Sequence, residues 1–64
     1  MSFGENLRKE RVRLQLTQSQ LGERCGLDHT HISQFERGRR DPSLHSLVAI
    51  RKGLKCAYED LIDG

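Results

Sequence analysis

The side chains of this 64-residue chain that could do chemistry crowd into one run, from His29 to Arg40. At helical spacing Ile32, Phe35 and Glu36 share one side of it, while His29, Thr30, Ser33, Gln34 and Arg37 face away. An amide such as that of Gln34 can make two hydrogen bonds to an adenine edge, and the methyl of Thr30 can meet that of thymine. His29 stands beside Thr30 in the first turn, nearest to anything the run approaches end-on. Arg37, Arg39 and Arg40 are cations of the kind that neutralise phosphates. The competing reading is a solvated helical surface on which a single arginine contacts nothing.

Other chemistries find little here. Cys25, His29 and His31 have the spacing C-x3-H-x-H, without the paired cysteines of a structural zinc site, and Cys25 should face the core while His29 faces out. No metal and no cofactor is expected. The chain has no glycine-rich phosphate loop, no nucleophile elbow and no paired-carboxylate cleft, and His45, Glu59, Asp60 and Asp63 fall on surface positions. A chain this short also has little room for a ligand pocket of about 300 Å³. Neither an enzyme nor a small-molecule receptor is expected.

The elements that must position the run are helical. Valine and isoleucine are scarce and no period-2 alternation occurs. Phe3, Leu7, Arg11 and Leu14 recur at helical spacing and predict a first helix over about residues 3–14. Thr17 and Gln20 form a capping box that opens a second helix, with Leu21 and Cys25 inward and Gly26 ending it in a left-handed turn. Asp28 caps the third helix, which stops at Gly38. Asp41 and Pro42 turn the chain, and Ser43 caps a fourth helix with an apolar stripe of Leu44, Leu47, Val48, Ile50 and Leu54. Gly53 within it costs around 1 kcal/mol against alanine. A short fifth helix is expected near residues 57–63, carrying Leu61 and Ile62. The expected fold is a single all-α domain over residues 1–64, a compact five-helix bundle.

Length and composition agree with this. So short a chain buries only about 60% of its unfolded surface. Cys25 and Cys56 are too few for a disulfide framework; they read as free thiols in a reducing cytoplasm, with a single bridge as the alternative. No apolar run reaches the roughly 20 residues of a membrane span, and charges interrupt the N-terminus where a signal peptide would be apolar. A cytoplasmic location is expected. Residues 1–40 hold eight Lys/Arg against five Asp/Glu, residues 41–64 three against four, so the positive excess lies on the side of His29–Arg40.

Only Gly26, Leu27 and Asp28 separate the second and third helices, so the two must cross steeply. Gly22 supplies the small residue such a crossing needs, Gly26 the reversal, and Ile32 the plug between the helices. Arg11 and Glu36 both fall on apolar faces, where an unpaired charge is costly, so they are expected to pair; the alternative is that both reach out to solvent.

With these residues the chain resembles the helix-turn-helix family of phage repressor and Cro proteins, the XRE type. The resemblance rests on Arg11, Leu16-Thr17-Gln18, Leu21, Gly22, Gly26, Ile32-Ser33, Glu36, Gly38 and Pro42-Ser43-Leu44, and runs from about Leu7 to Ile62. The run from Gly26 to Leu44 is also similar to versions seen in controller proteins of restriction-modification systems. The resemblance implies a lambda-repressor-like fold, the Arg11–Glu36 ion pair, and a third helix that enters the major groove of double-stranded DNA. It implies base reading by His29, Thr30 and Gln34, with His29 where many relatives carry arginine, and a phosphate contact at Gln18, where the helix N-terminus also favours an anion. Flanking contacts are expected from Ser33, Arg37, Arg39, Arg40 and Ser43, and His31 divides between a contact and a solvated role. The expected function is a transcriptional regulator that binds a palindromic operator as a homodimer, with Tyr58, Leu61 and Ile62 as the dimer surface. The alternative is a protein-interaction module of the same fold, antitoxin- or coactivator-like, disfavoured by the polar character of the outward side of the third helix.

Overall fold

A polar cap followed by helically spaced apolar residues occurs four times, and each becomes a helix: α1 Phe3–Arg13, α2 Gln18–Cys25, α3 His29–Glu36 and α4 Leu44–Leu54. The structure, a computed structural model, describes residues 2–55. The described architecture thus has four helices instead of five; the helix expected near residues 57–63 lies outside the described residues.

Each helix opens on a side-chain cap. Gln20 N donates to Thr17 Oγ1 at 3.0 Å and Thr17 N to Gln20 Oε1 at 2.8 Å, the expected capping box. Asp28 Oδ1 accepts from Thr30 N at 3.2 Å, and Ser43 Oγ from Ser46 N at 3.1 Å. α1 opens on an unforeseen second capping box, whose S-x-x-E signal is Ser2 and Glu5. Glu5 N donates to Ser2 Oγ at 3.2 Å and Ser2 N to Glu5 Oε1 at 3.3 Å. Hydrogen bonds from Ser2 hold the Glu5 carboxyl below its usual range.

The first three helices also end alike. Gln15 N bonds Val12 O at 2.9 Å and Leu16 N bonds Arg11 O at 3.1 Å; Gly26 N bonds Glu23 O at 3.4 Å and Leu27 N bonds Gly22 O at 2.9 Å; Gly38 N bonds Phe35 O at 3.1 Å and Arg39 N bonds Gln34 O at 2.9 Å. These are Schellman pairs, each turning on a left-handed residue, with φ 59° at Gln15, 69° at Gly26 and 72° at Gly38. α1 ends at Arg13, one residue sooner than the spacing suggests, with Leu14 as its C-cap.

α3 packs against both α1 and α2, and α4 packs on α2. Leu7, Leu21, Ile32, Phe35, Ile50 and Leu54 form the buried core, with Phe3, Leu14, Leu16, Cys25 and Leu27 half-buried around it. Phe3 meets Phe35 edge to face, ring centroids 5.9 Å apart. One member of the expected α4 stripe is misplaced: Leu44 is 75% exposed. It opens the helix and stands about 100° around it from the Ile50–Leu54 side.

Two helix contacts depend on missing side chains. A Cβ on Gly22 would lie 2.5 Å from Leu27 O, as the steep α2–α3 connection requires. A Cβ on Gly4 would strike the carbonyl oxygens of Phe35 and Glu36, so the first turn of α1 lies flush against the end of α3, an approach not expected from spacing. Gly53, expected only as a cost, faces Cys25 Sγ.

Candidate nucleic-acid interface

The inward side of α3 is fixed by packing and by charge. Ile32 is fully buried and Phe35 is 3% exposed. Glu36, one turn beyond Ile32, meets the arginine expected for it: Arg11 Nε donates to Glu36 Oε2 at 2.7 Å and Arg11 Nη2 to Glu36 Oε1 at 3.1 Å. The two side chains are 15% and 5% exposed, so this is an internal, two-pronged ion pair. Arg11 Nη1 also donates to Leu16 O at 2.9 Å, tying the α1–α2 turn to the same group. Gln18 joins through Nε2, which donates to Glu36 Oε1 at 3.2 Å. One carboxylate thereby links α1, the start of α2 and α3.

With that side anchored, the other side of α3 is presented outward. His29 and Thr30 are exposed, as are Arg37, Arg39 and Arg40, while His31, Ser33 and Gln34 are half-buried on the flank. Of the base-reading candidates, His29 and Thr30 are thus open to solvent at the start of α3 and Gln34 is half-buried on its flank, all three outside the core cluster. Two neighbours orient them. His29 Nδ1 lies 3.1 Å from Asp28 Oδ1, the oxygen that caps Thr30 N, and both side chains are open to water, so the pair steers more than it stabilises. Arg40 Nη1 reaches Gln34 Oε1 at 3.5 Å. The sequence leads one to expect Asp28 only as a cap and Arg40 only as a flanking contact. Neither partnership has a helical-spacing signal, because both cross a helix boundary.

The flanking candidates divide. Arg37 and Arg39 are exposed at the end of α3, and Arg40, exposed as well, reaches back to Gln34. The Gln18 side chain serves Glu36 and Gln20 N is held by Thr17, so α2 offers an anion its other first-turn N–H groups and the second amide hydrogen of Gln18. The Ser43 hydroxyl accepts from Ser46 N and donates to Ser46 Oγ at 3.2 Å, so it is committed to its own helix. Tyr58, Leu61 and Ile62 lie outside the described residues. Two surface depressions of about 450 and 470 Å³ exceed the volume expected of so small a chain, but both are wide open to solvent. Among the described residues no helix is long and apolar enough to cross a membrane.

The profile of the helix-turn-helix family matches residues 7–61. The repressor protein C2 of Salmonella phage P22 is 36% identical over 62 residues, covering 97% of this chain and 29% of the repressor. Control protein C.BamHI of Bacillus amyloliquefaciens is 37% identical over 62 residues, 95% of this chain and 76% of that protein. The solved P22 c2 repressor in complex with synthetic operator 9T superposes with a TM-score of 0.92 at 34% identity, covering 100% of this chain and 97% of that one. The restriction-modification controller protein C.AhdI from Aeromonas hydrophila gives 0.90 at 32% identity, covering 94% and 91%. The chain spans less than a third of the length of the P22 repressor and of the transcriptional activator BcrR of Enterococcus faecalis, 29% and 31%. Sequence and fold together make it a member of the helix-turn-helix family of DNA-binding transcriptional regulators, alongside phage repressors and restriction-modification control proteins.

Proposed function

We infer that this chain binds double-stranded DNA sequence-specifically as a transcriptional regulator, with α3 in the major groove and two copies on a palindromic operator. The observation that carries this reading is the two-sidedness of α3. Ile32, Phe35 and the Glu36 ion pair hold one side, while His29 and Thr30 are exposed at the helix start and Gln34 is half-buried on the flank, outside the core. Hydrogen-bonding side chains on a braced helix suit the donor and acceptor pattern of the major groove. The similar P22 repressor was solved on an operator, which supports the same use here. Half-sites would lie about one helical turn apart, roughly 34 Å, with Tyr58, Leu61 and Ile62 at the contact between copies. Phosphates fall to Arg37, Arg39 and the start of α2, with Arg40 flanking the bases beside Gln34 and smaller parts for Ser33, Ser43 and His31.

Selection from a randomised duplex pool, followed by a salt titration on the selected site, tests this. A palindromic consensus should emerge, and log affinity should fall with log salt at about −0.9 per phosphate contacted. A chain that enriches no sequence and shows little DNA affinity at low salt would instead be a protein-interaction module of the same fold.

A further inference from the structure

We propose that Arg40 acts as a positioning residue for base reading, by fixing the side-chain amide of Gln34 so that it offers N–H groups to an acceptor edge such as guanine's. This rests on the DNA-binding reading and goes beyond it, since Gln34 alone suits adenine.

The placement follows from the way α3 ends. Gly38, at φ 72°, turns the chain back, and Arg39 N bonds Gln34 O at 2.9 Å. The residue after that bond is brought beside the side chain of Gln34, where Arg40 Nη1 donates to Oε1 at 3.5 Å. The contact is long for a hydrogen bond, and the guanidinium charge adds to its attraction for the carbonyl oxygen.

The consequence is chemical. A glutamine reads adenine by accepting from N6 and donating to N7, which requires its oxygen to face the base. With Oε1 turned to the Arg40 guanidinium, an outward-turned Nε2 is what the amide has left to offer a base. An outward NH₂ is complementary to guanine N7 and O6, and faces the N6 amino group of adenine donor to donor. A positive charge beside the amide favours the same edge. Removing Arg40 frees the amide to turn over.

The experiment compares base preference in wild type, Gln34→Ala, Arg40→Ala and the double variant, each selected on randomised duplexes at fixed salt, with melting curves confirming the fold. The position that loses its preference in Gln34→Ala is the one Gln34 reads. There wild type should prefer guanine, and Arg40→Ala should move the guanine-to-adenine ratio toward adenine on the order of tenfold. That move should be absent when Gln34 is already alanine. Three results would overturn the proposal: adenine preferred in wild type, an Arg40→Ala effect equal for all bases with one phosphate fewer in the salt slope, or an unchanged effect in the Gln34→Ala background. The second would make Arg40 a phosphate contact and the third a direct base reader, and both leave DNA binding intact. Wild type enriching no sequence would instead remove the DNA-binding reading, and this proposal with it.

Discussion

Glu36 joins three separate segments through one carboxylate, receiving Arg11 Nε and Nη2 and the amide of Gln18. Replacing it by glutamine keeps the shape and leaves a largely buried guanidinium without its counter-charge. Glu36→Gln should lower stability by about 3 kcal/mol, read from urea unfolding. Exchanging both partners for apolar residues, Arg11→Met with Glu36→Leu, should recover much of that loss, because the desolvation of both charges disappears with the pair. A loss no larger than that of an exposed ion pair would show that the network does not brace α3. Cys25 behaves differently. Burial against α4 raises its thiol from the usual 9.0 to about 11. A group whose folded pKa is raised contributes in full below its unfolded value and loses that contribution as pH climbs to the folded one. The stability advantage tied to this thiol should therefore decline between pH 9.0 and about 11. The difference in urea midpoint between wild type and Cys25→Ala isolates it, since other groups cancel. A difference constant across that range would mean the thiol stays solvated.

Among the elements, α1 ends least comfortably. The Schellman turns after α2 and α3 have glycine at the left-handed position, whereas α1 has Gln15 at φ 59°. Non-glycine residues carry a steric cost there that glycine avoids, although the freer unfolded chain of glycine cancels part of the gain. Gln15→Gly should raise stability by about 0.5–1 kcal/mol, seen as a melting temperature several degrees higher. A lower melting temperature would indicate that the exposed Gln15 side chain contributes more than its backbone strain. Much of this layer is legible in local sequence. Thr17 with Gln20, Asp28 and Ser43 announce three helix starts, and Gly26 and Gly38 announce two ends, because caps are settled within a few residues. Leu44 is the exception. Local spacing counts it with the apolar stripe, yet which arc of α4 is covered depends on where α2 lies.

At the scale of the whole molecule, the small core offers little apolar surface for a second copy, with Val12 57% and Leu44 75% exposed among the described residues. The proposed dimer, which draws no large apolar patch from these residues, should be weak in solution and assemble on DNA, which holds both copies in register. Sedimentation should show mostly monomer at micromolar concentration, and operator titrations should show two molecules binding cooperatively. A tight dimer at nanomolar concentration without DNA would contradict this. A single copy bound per operator would sink the palindromic reading.

Local sequence by itself determined the order of the helices, their caps and turns, and the polar run of α3, because helical period and capping chemistry act over fewer than eight residues. It also foretold the Arg11–Glu36 pair, since two charges on apolar faces of one small domain have few other partners. Only the tertiary structure decided that Gly4 seats α1 against the end of α3, that Gly53 makes room for Cys25, and that Gln18 gives its amide to Glu36. It also decided that Arg40 folds back to Gln34. Each of these joins groups on different elements or across a turn. Whether they touch is set by how closely the backbones approach, and no periodicity along a single helix encodes that distance.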